Sequence, residues 1–280
     1  MGGRVEWHTA GIGPRSVTVL IFTNDLEDDI LSMILKFADD TKIFRKGTSA
    51  TDRVQLQQDL NRIYNWAEKW QMEFSVVKCI TMHIGSGNTE YKYSMKGRQL
   101  DVVTTEKDLG VLISSNLKVA EKCQAAYCKA NRMLGLLKRT VKYRNPVMMV
   151  RLYKSLVRPH LEYSSPVWNP HYKKDKLLLE RVQHHFTLLF DDLKALEYTE
   201  RLTKLKLWSL EERRNCADLI ELFKIARGIS TVPLQTFFKL ADESITRGHR
   251  WKLVKEYSRC DARLLCESFK SLEQSATVSS

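Results

Sequence analysis

The clearest pattern of apolar and polar positions lies just before residue 40. Along residues 31–37, apolar side chains alternate with Ser32, Ile34 and Lys36, which is the period of a β-strand. The alternating apolar residues are Leu31, Met33, Leu35 and Phe37. Residues 43–44 can form the returning strand. This pattern predicts a β-hairpin with Asp39 and Asp40 at its tip.

Between residues 51 and 70 the apolar positions change to the spacing of a helix. Leu56, Leu60, Ile63, Ala67 and Trp70 are spaced 4, 3, 4 and 3 apart, which predicts an amphipathic helix that packs on a sheet. Short apolar runs predict further strands at residues 17–22, 79–84, 91–95 and 109–113, and polar residues with glycine predict turns between them. Residues 1–115 are therefore predicted to form a mixed α/β unit.

From residue 117 onward the pattern is helical. Cys123, Ala126, Ala130, Met133 and Leu137 mark the apolar face of one helix. Asn145 followed by Pro146 predicts the start of a second helix, whose apolar positions are Met149, Leu152, Tyr153 and Leu156. Further helices are predicted over residues 174–190 and from Ser209, where Ser-x-x-Glu forms a capping box, to Gly228.

The pattern as a whole predicts an α+β fold. A short antiparallel sheet with one amphipathic helix occupies residues 1–115, helices follow over 116–232, and a basic, partly disordered tail covers 233–280.

Composition and charge limit the classes of partner. The 280 residues include 45 Lys and Arg against 33 Asp and Glu, so the formal charge is +12 and the field attracts polyanions such as nucleic acid. The longest apolar run, residues 17–22, is too short to span a bilayer, and we expect no membrane partner and an intracellular location. Six cysteines without a C-x-x-C pair suggest neither a zinc site nor a disulfide framework.

Asp39 and Asp40 are the first candidates for chemistry. Two adjacent carboxylates at a hairpin tip repel each other unless a cation or solvent compensates them, and a divalent metal is one such cation. A solvated turn is the alternative, because aspartate is common in turns.

A longer series of motifs surrounds the Asp pair. Phe37-Ala38-Asp39-Asp40 is preceded by Asn24-Asp25-Leu26 and followed by Lys78-Cys79, by Lys107-Asp108-Leu109-Gly110-Val111 and by Leu156-Val157-Arg158-Pro159-His160-Leu161-Glu162-Tyr163. Trp168-Asn169-Pro170, Leu179-Glu180-Arg181-Val182-Gln183, Ser209-Leu210-Glu211, Asp218-Leu219-Ile220-Glu221 and Thr246-Arg247-Gly248-His249 come next. This collinear series, roughly residues 7–257, resembles the reverse transcriptases of non-LTR, LINE-type retrotransposons of the jockey and chicken-repeat lineage.

The resemblance implies RNA-directed DNA polymerase chemistry, in which a primer hydroxyl attacks the α-phosphate of a nucleotide with the help of two Mg²⁺ or Mn²⁺ ions. It makes Asp39 the expected metal ligand, with Asp40 beside it. It places Lys78 near the pyrophosphate, although an ordinary surface lysine is the alternative. It assigns Leu109 and Gly110 to a turn that supports the primer end, although a simple tight turn also explains the glycine.

The helical part resembles a polymerase thumb and the region beyond it. Basic side chains on its first helix are expected to hold the phosphates of a template–primer duplex. They are Lys118, Lys122, Lys129, Arg132, Lys138 and Arg139. A solvated helix face is the alternative.

Three departures from the family qualify the expected activity. The family places a further metal-binding aspartate and the fingers upstream, and we expect this chain to begin after both. Gly13, Pro14 and Arg15 stand where the corresponding family stretch has proline, glutamine and its second glycine, and Ser75 replaces the usual asparagine. We therefore expect a fragment of a reverse transcriptase that is inactive without the missing N-terminal portion as its partner. The alternative is a nonspecific nucleic-acid-binding remnant, or a decayed product, without catalysis.

Overall fold

The computed structural model describes residues 2–6, 23–37, 40–47, 49–72, 74–85, 88, 90–143 and 145–236, the first of these ranges as backbone only. The chain divides into two compact units: Met1–Asp108 with Leu112–Leu117, and Leu109–Val111 with Lys118–Ser280. Strands and one long helix make up the described part of the first unit, and helices dominate the second. The α+β class predicted from the sequence is therefore confirmed at this level.

Short strands form one mixed sheet and two hairpins. The sheet strands are β1 (Gly2–Glu6), β2 (Met33–Phe37), β3 (Asp40–Phe44), β4 (Ile80–Met82) and β7 (Asp101–Val102); β5 (Ser94–Met95) pairs with β6 (Arg98–Gln99), and β8 (Thr105–Asp108) with β9 (Val111–Ser114). The sheet order is β2-β3-β1-β4-β7, antiparallel except for the β4–β7 pair. The strand predicted over residues 17–22 lies outside the described residues.

The first long helix, α1 (Ala50–Lys69), confirms the helix predicted over residues 51–70. Ser49 caps it: its hydroxyl accepts a bond from the Asp52 amide, and the Asp52 carboxylate accepts one from the Ser49 amide, which forms a capping box. Four of the five predicted apolar positions, Leu56, Leu60, Ile63 and Ala67, are buried against the sheet and its loops. The fifth, Trp70, is the C-cap residue and is exposed, so the prediction is wrong at that position. This packing fixes the sheet that carries the Asp pair.

The second unit consists mainly of helices. They are α2 (Ala120–Thr140), α3 (Pro146–Leu152), α4 (Arg158–Glu162), α5 (Ser165–Trp168), α6 (Lys173–Thr187), α7 (Tyr198–Leu205) and α8 (Leu210–Ala226). Asn145 caps α3 by accepting bonds from the amides of Val147 and Met148, and Ser209 and Glu212 form the predicted capping box of α8. In α2, Leu134 is buried, and Met133, predicted in that place, is half-buried.

A π-helical turn over Tyr153–Val157 joins α3 to α4 and shifts the buried face. The prediction that Leu156 lies on this face is wrong: its side chain is exposed and Val157 is fully buried. A π-helical turn contains more residues than an α-helical turn, so the buried side chains here recur at every fourth residue. They are Met149, Tyr153, Val157 and Leu161.

Two further sequence predictions are corrected. Helix α7 was not predicted, and the strand predicted over residues 109–113 begins at Val111, because Leu109 and Gly110 form a turn. Pro159 and Pro166 lie in the first turns of α4 and α5, where proline needs no amide partner. Most of the predicted tail, residues 237–280, lies outside the described residues.

Candidate functional site

The predicted hairpin is present, and its two strands pair up to Phe37 and Asp40. Strands β2 and β3 pair antiparallel, with Met33 opposite Phe44 and Phe37 opposite Asp40. Two residues, Ala38 and Asp39, connect them and lie outside the described residues. Asp40 is half-buried as the first residue of β3. The hairpin therefore places Asp40 at the end of the sheet, as the alternation predicted.

One face of the edge strand β2 is apolar and exposed. Leu31, Met33, Leu35 and Phe37 are each more than half exposed, although they form the alternating apolar set. The opposite face of this segment packs on α1, where Ser32 is buried and donates from its amide and its hydroxyl to Asp59. The alternation predicted the strand, but the buried side is the one that carries the polar Ser32.

A charged pair lies near Asp40 on the same strand. Lys42, two residues along β3, forms an ion pair with Asp108 at the end of β8. Successive side chains of a strand alternate between its faces, so Lys42 and Asp40 share one face. No sequence pattern singles out Lys42, which falls within the residues directly behind the Asp pair; Asp108 lies within the Lys107–Val111 motif.

Lys78 lies at the same end of the sheet as Asp40. Its side chain is exposed, and its amide donates to the Ser75 carbonyl oxygen in the turn before β4. In β1, Arg4 faces Ile80 on β4 and Lys42 on β3. Strands β3 and β4 both pair antiparallel with β1 and so run in the same direction, and Lys78, just before β4, therefore lies at the end of the sheet where β3 begins with Asp40.

The Leu109–Gly110 turn connects β8 and β9, and both of its residues have positive φ, 43° and 83°. Two side chains of the second unit reach its carbonyl oxygens: Tyr163 Oη donates to Leu109 O at 2.9 Å, and Lys122 Nζ donates to Gly110 O at 3.0 Å. The turn predicted to support a primer end is thus bonded to two other residues of the second unit, to which it belongs.

Five of the six predicted phosphate-binding residues are exposed on or beside α2. These are Lys118, Lys129, Arg132, Lys138 and Arg139. Lys122 is half-buried, and its ammonium lies 5.1 Å from the centre of the Trp168 ring in addition to its bond to Gly110. Lys129, Arg132 and Arg139 follow Lys122 at spacings of 7, 3 and 7 residues, which keeps them on one side of the helix.

The positive charge is concentrated in the second part of the chain. Residues 118–236 contain 23 Lys and Arg against 12 Asp and Glu, a net +11, whereas residues 1–117 contain 14 against 15, a net −1. The polyanion-attracting field predicted from the whole composition therefore originates almost entirely in the helical segment.

Residues 158–170 connect several parts of the second unit. Glu162 forms ion pairs with Arg213 of α8 and with Arg158, and the Trp168 indole donates to the Tyr163 carbonyl oxygen at 2.7 Å. This stretch stands out in the sequence only through the resemblance, and no pattern singles out Arg213. Residues 211–214 are all charged, and this sequence contains no signal that Arg213 forms an ion pair with Glu162.

A cavity of about 780 Å³ lies among α6, α7 and α8. Glu180, Tyr198 and Trp208 contribute to its lining, and none of the predicted site residues does. The Glu180 carboxylate accepts bonds from Tyr198 Oη and from the Leu210 amide, the latter at 2.9 Å, and burial raises the pKa of Glu180. These contacts connect the three helices.

Within the described ranges, no group of three or more His, Cys, Asp or Glu residues is placed to hold a metal ion. No described helix has the length and apolar character needed to cross a membrane. No family model, curated protein or solved structure matches the chain.

Proposed function

We propose that this chain is the palm and thumb portion of an RNA-directed DNA polymerase of the non-LTR retrotransposon type, and that it binds a template–primer duplex. The β2–β3 hairpin carries the proposal, because its register brings Phe37 and Asp40, the outer residues of the Phe37-Ala38-Asp39-Asp40 motif, to the end of a sheet. That position suits a carboxylate that must reach a substrate outside the sheet.

Two further placements support the proposal. Lys78 follows at the same end of the sheet, where an ammonium group is suited to neutralising a leaving pyrophosphate. Leu109 and Gly110 form a tight turn, the feature that the resemblance assigns to the primer end. In this proposal Asp39 and Asp40 are the carboxylates nearest to the reacting phosphate.

A Mg²⁺ or Mn²⁺ ion at the hairpin would need more ligands than the described residues supply. Asp40 offers one hard oxygen donor, which suits either ion, and no described cluster of three acidic or His and Cys residues completes a site. The described residues therefore do not fit a complete metal centre, and we assign no reaction step to an ion here.

Binding of the duplex is assigned to α2. Its exposed cations contact phosphates without reading bases, and each contact releases counterions, so affinity must fall steeply as salt rises. The net +11 of residues 118–236 provides the long-range attraction.

The test measures the affinity of the full chain for an RNA–DNA hybrid by fluorescence anisotropy over a range of salt concentrations. In a triple variant, Lys129, Arg132 and Arg139 become glutamine. A control triple removes the same charge by replacing Lys173 and Lys204, which are exposed on other helices, and Lys206, which is exposed at the C-cap of α7. We expect the α2 triple to reduce the slope of log affinity against log salt by about 2.7, that is ~0.9 for each lost contact. Salt-insensitive binding, or equal losses in both triples, contradicts the assignment.

Nonspecific nucleic-acid binding without a polymerase role is the second candidate, because the basic side of α2 is sufficient for it. Hybrids with a recessed primer end and blunt hybrids of equal length separate the two functions. A polymerase portion prefers the recessed end; equal affinity favours the second candidate and overturns the first.

Primer extension with Mg²⁺ or Mn²⁺ adds a catalytic readout. Because the resemblance implies a further metal-binding aspartate that none of the matching motifs supplies, we expect no nucleotide addition by the chain or by Asp39→Ala. Addition by the chain that is lost in Asp39→Ala contradicts this expectation and establishes a working metal site.

A further inference from the structure

The Leu109–Gly110 turn has a backbone conformation that its sequence does not favour. Both residues have positive φ, as the central residues of a type I′ hairpin turn require. Glycine adopts this region freely, but leucine does not, because its Cβ approaches the following carbonyl oxygen. Contacts from the surrounding structure must therefore hold Leu109 in place.

Two side chains provide these contacts, one for each residue of the turn. Tyr163 Oη donates to the Leu109 carbonyl oxygen at 2.9 Å, and Lys122 Nζ donates to the Gly110 carbonyl oxygen at 3.0 Å. The Tyr163 ring also lies so close that a Cβ on Gly110 would be 3.1 Å from its Cε1 atom. The position of the turn is thus determined at both peptide groups.

The two side chains are themselves fixed by Trp168, which is almost completely buried. Its indole nitrogen donates to the Tyr163 carbonyl oxygen at 2.7 Å, and the Lys122 ammonium lies over its ring at 5.1 Å. The buried Arg214 guanidinium lies 5.6 Å from the centre of the same ring and donates to the Leu161 carbonyl oxygen at 2.9 Å. Cations are attracted to the face of an indole, most strongly where water is excluded.

We infer that Lys122 and Tyr163 are positioning residues, which hold the Leu109–Gly110 turn in the conformation that supports a primer end. This inference rests on the proposed function for the role of the turn, and on the contacts above for how the turn is held. It separates Lys122 from the other basic residues of α2: its ammonium binds a backbone carbonyl oxygen and an indole face instead of a phosphate.

The test uses the full chain with Tyr163→Phe, which keeps the ring and removes the hydroxyl, and Lys122→Met, which keeps the aliphatic stem and removes the ammonium. Hydrogen exchange of a peptide covering residues 105–114 reports on the turn. In each variant, loss of one hydrogen bond to the turn is expected to accelerate hydrogen exchange of this peptide about fivefold. Lys122→Arg retains a donor and is expected to restore slow exchange.

The second readout is the fluorescence of 2-aminopurine as the terminal 3′ base of a recessed DNA primer on RNA. We expect both variants to reduce the change in fluorescence on binding by at least about half. The affinity for the hybrid is expected to change by less than about twofold, because no phosphate contact is lost. A probe at an internal base is expected to respond as in the wild type.

Two matched controls separate positioning from charge and from general damage. Lys129→Met removes the same charge from the same helix; it is expected to weaken binding while exchange of 105–114 and the terminal signal of the bound complex stay unchanged. Tyr143→Phe removes the hydroxyl of a tyrosine that is 78% exposed and is expected to change neither readout. Exchange of α1 peptides equal to the wild type shows that the variants are folded.

Unchanged exchange of 105–114 in both variants overturns the claim that these side chains hold the turn. Faster exchange with an unchanged terminal signal overturns the primer-end role. If the wild-type chain binds no hybrid, the proposed function and the primer-end role both fail, while the exchange measurement still decides whether Lys122 and Tyr163 hold the turn.

Discussion

At the scale of single residues, two glycines show how much the surroundings of a turn matter. Gly97 and Gly110 both have positive φ, 72° and 83°. A Cβ on Gly97 meets nothing within 4 Å, whereas a Cβ on Gly110 meets the Tyr163 ring at 3.1 Å. Substitution by alanine therefore has the same backbone cost at both positions, and a steric cost is added only at Gly110.

We expect Gly97→Ala to lower the free energy of unfolding by about 1 kcal/mol, the cost of a non-glycine residue at positive φ. Gly110→Ala adds displacement of the Tyr163 ring, so we expect about 2 kcal/mol. Urea denaturation of both variants beside the wild type measures the difference. Equal losses would show that the ring moves aside without cost.

Asp59 is the second residue whose role follows from its contacts. It is fully buried on α1, and its carboxylate accepts bonds from the Ser32 amide and hydroxyl, from Gln55 Nε2 at 3.0 Å and from Arg62 Nη1 at 3.2 Å. It therefore ties α1 to the segment that leads into β2.

We expect Asp59→Ala to cost about 3 kcal/mol of stability, because several donors lose their acceptor inside the protein. Asp28→Ala, at an exposed position in the turn before β2, is expected to change stability by less than about 0.5 kcal/mol. Thermal or urea unfolding of the two variants provides the comparison, and a loss below about 1 kcal/mol for Asp59→Ala would show that water replaces the carboxylate.

Asp59 also shows where a sequence pattern is incomplete. It lies three residues after Leu56 and four before Ile63, so it shares the buried side of α1 with them. Hydropathy assigns an aspartate to the polar face of a helix. Only the position of Ser32, which is distant along the chain, shows that the buried Asp59 carboxylate has hydrogen-bond donors. The helix was therefore predictable, and its buried carboxylate was not.

At the scale of elements, local signals predicted what local interactions determine. The β2–β3 hairpin, α1 and the capped starts of α3 and α8 were predicted, since alternation, helical spacing and N-caps act within a few residues. The π-helical turn and the exposed apolar face of β2 were missed, because tertiary packing determines both. In the candidate site, the hairpin that carries Asp40 was predicted, but the side chains that hold the Leu109–Gly110 turn were not.

Glu180 joins three helices, and the pH dependence of stability tests this junction. Its folded pKa is raised above the ordinary value of 4.5 by burial, so between the two values the folded state holds a proton that the unfolded state has released. The contribution of Glu180 to stability is therefore greatest below pH 4.5 and is lost as pH rises through the folded pKa.

We expect the stability of the wild type relative to Glu180→Gln to fall as pH rises through this window, as measured by urea denaturation at a series of pH values. Tyr198→Phe removes a hydrogen bond that lowers the pKa of Glu180, so the window should extend to higher pH. A difference between the wild type and Glu180→Gln that is independent of pH would contradict the raised pKa.

At the scale of the whole molecule, charge and chemistry are divided between the two parts of the chain. The Asp pair and Lys78 belong to a segment with net charge −1, and the cations that attract polyanions belong to one with net +11. Net charge governs association and not fold, so this division assigns duplex attraction to the helical segment.

This division predicts where a bound duplex protects the chain. An RNA–DNA hybrid at about 100 times its Kd should stabilise the region that binds it by about 2.7 kcal/mol. Hydrogen exchange should therefore slow in peptides of α2 and stay unchanged in peptides of α1, which serve as the internal control. High salt should abolish the protection, because phosphate contacts depend on counterion release. Equal slowing in both helices would mean that the duplex contacts both units, and the assignment of binding to the charged helical segment would then be wrong.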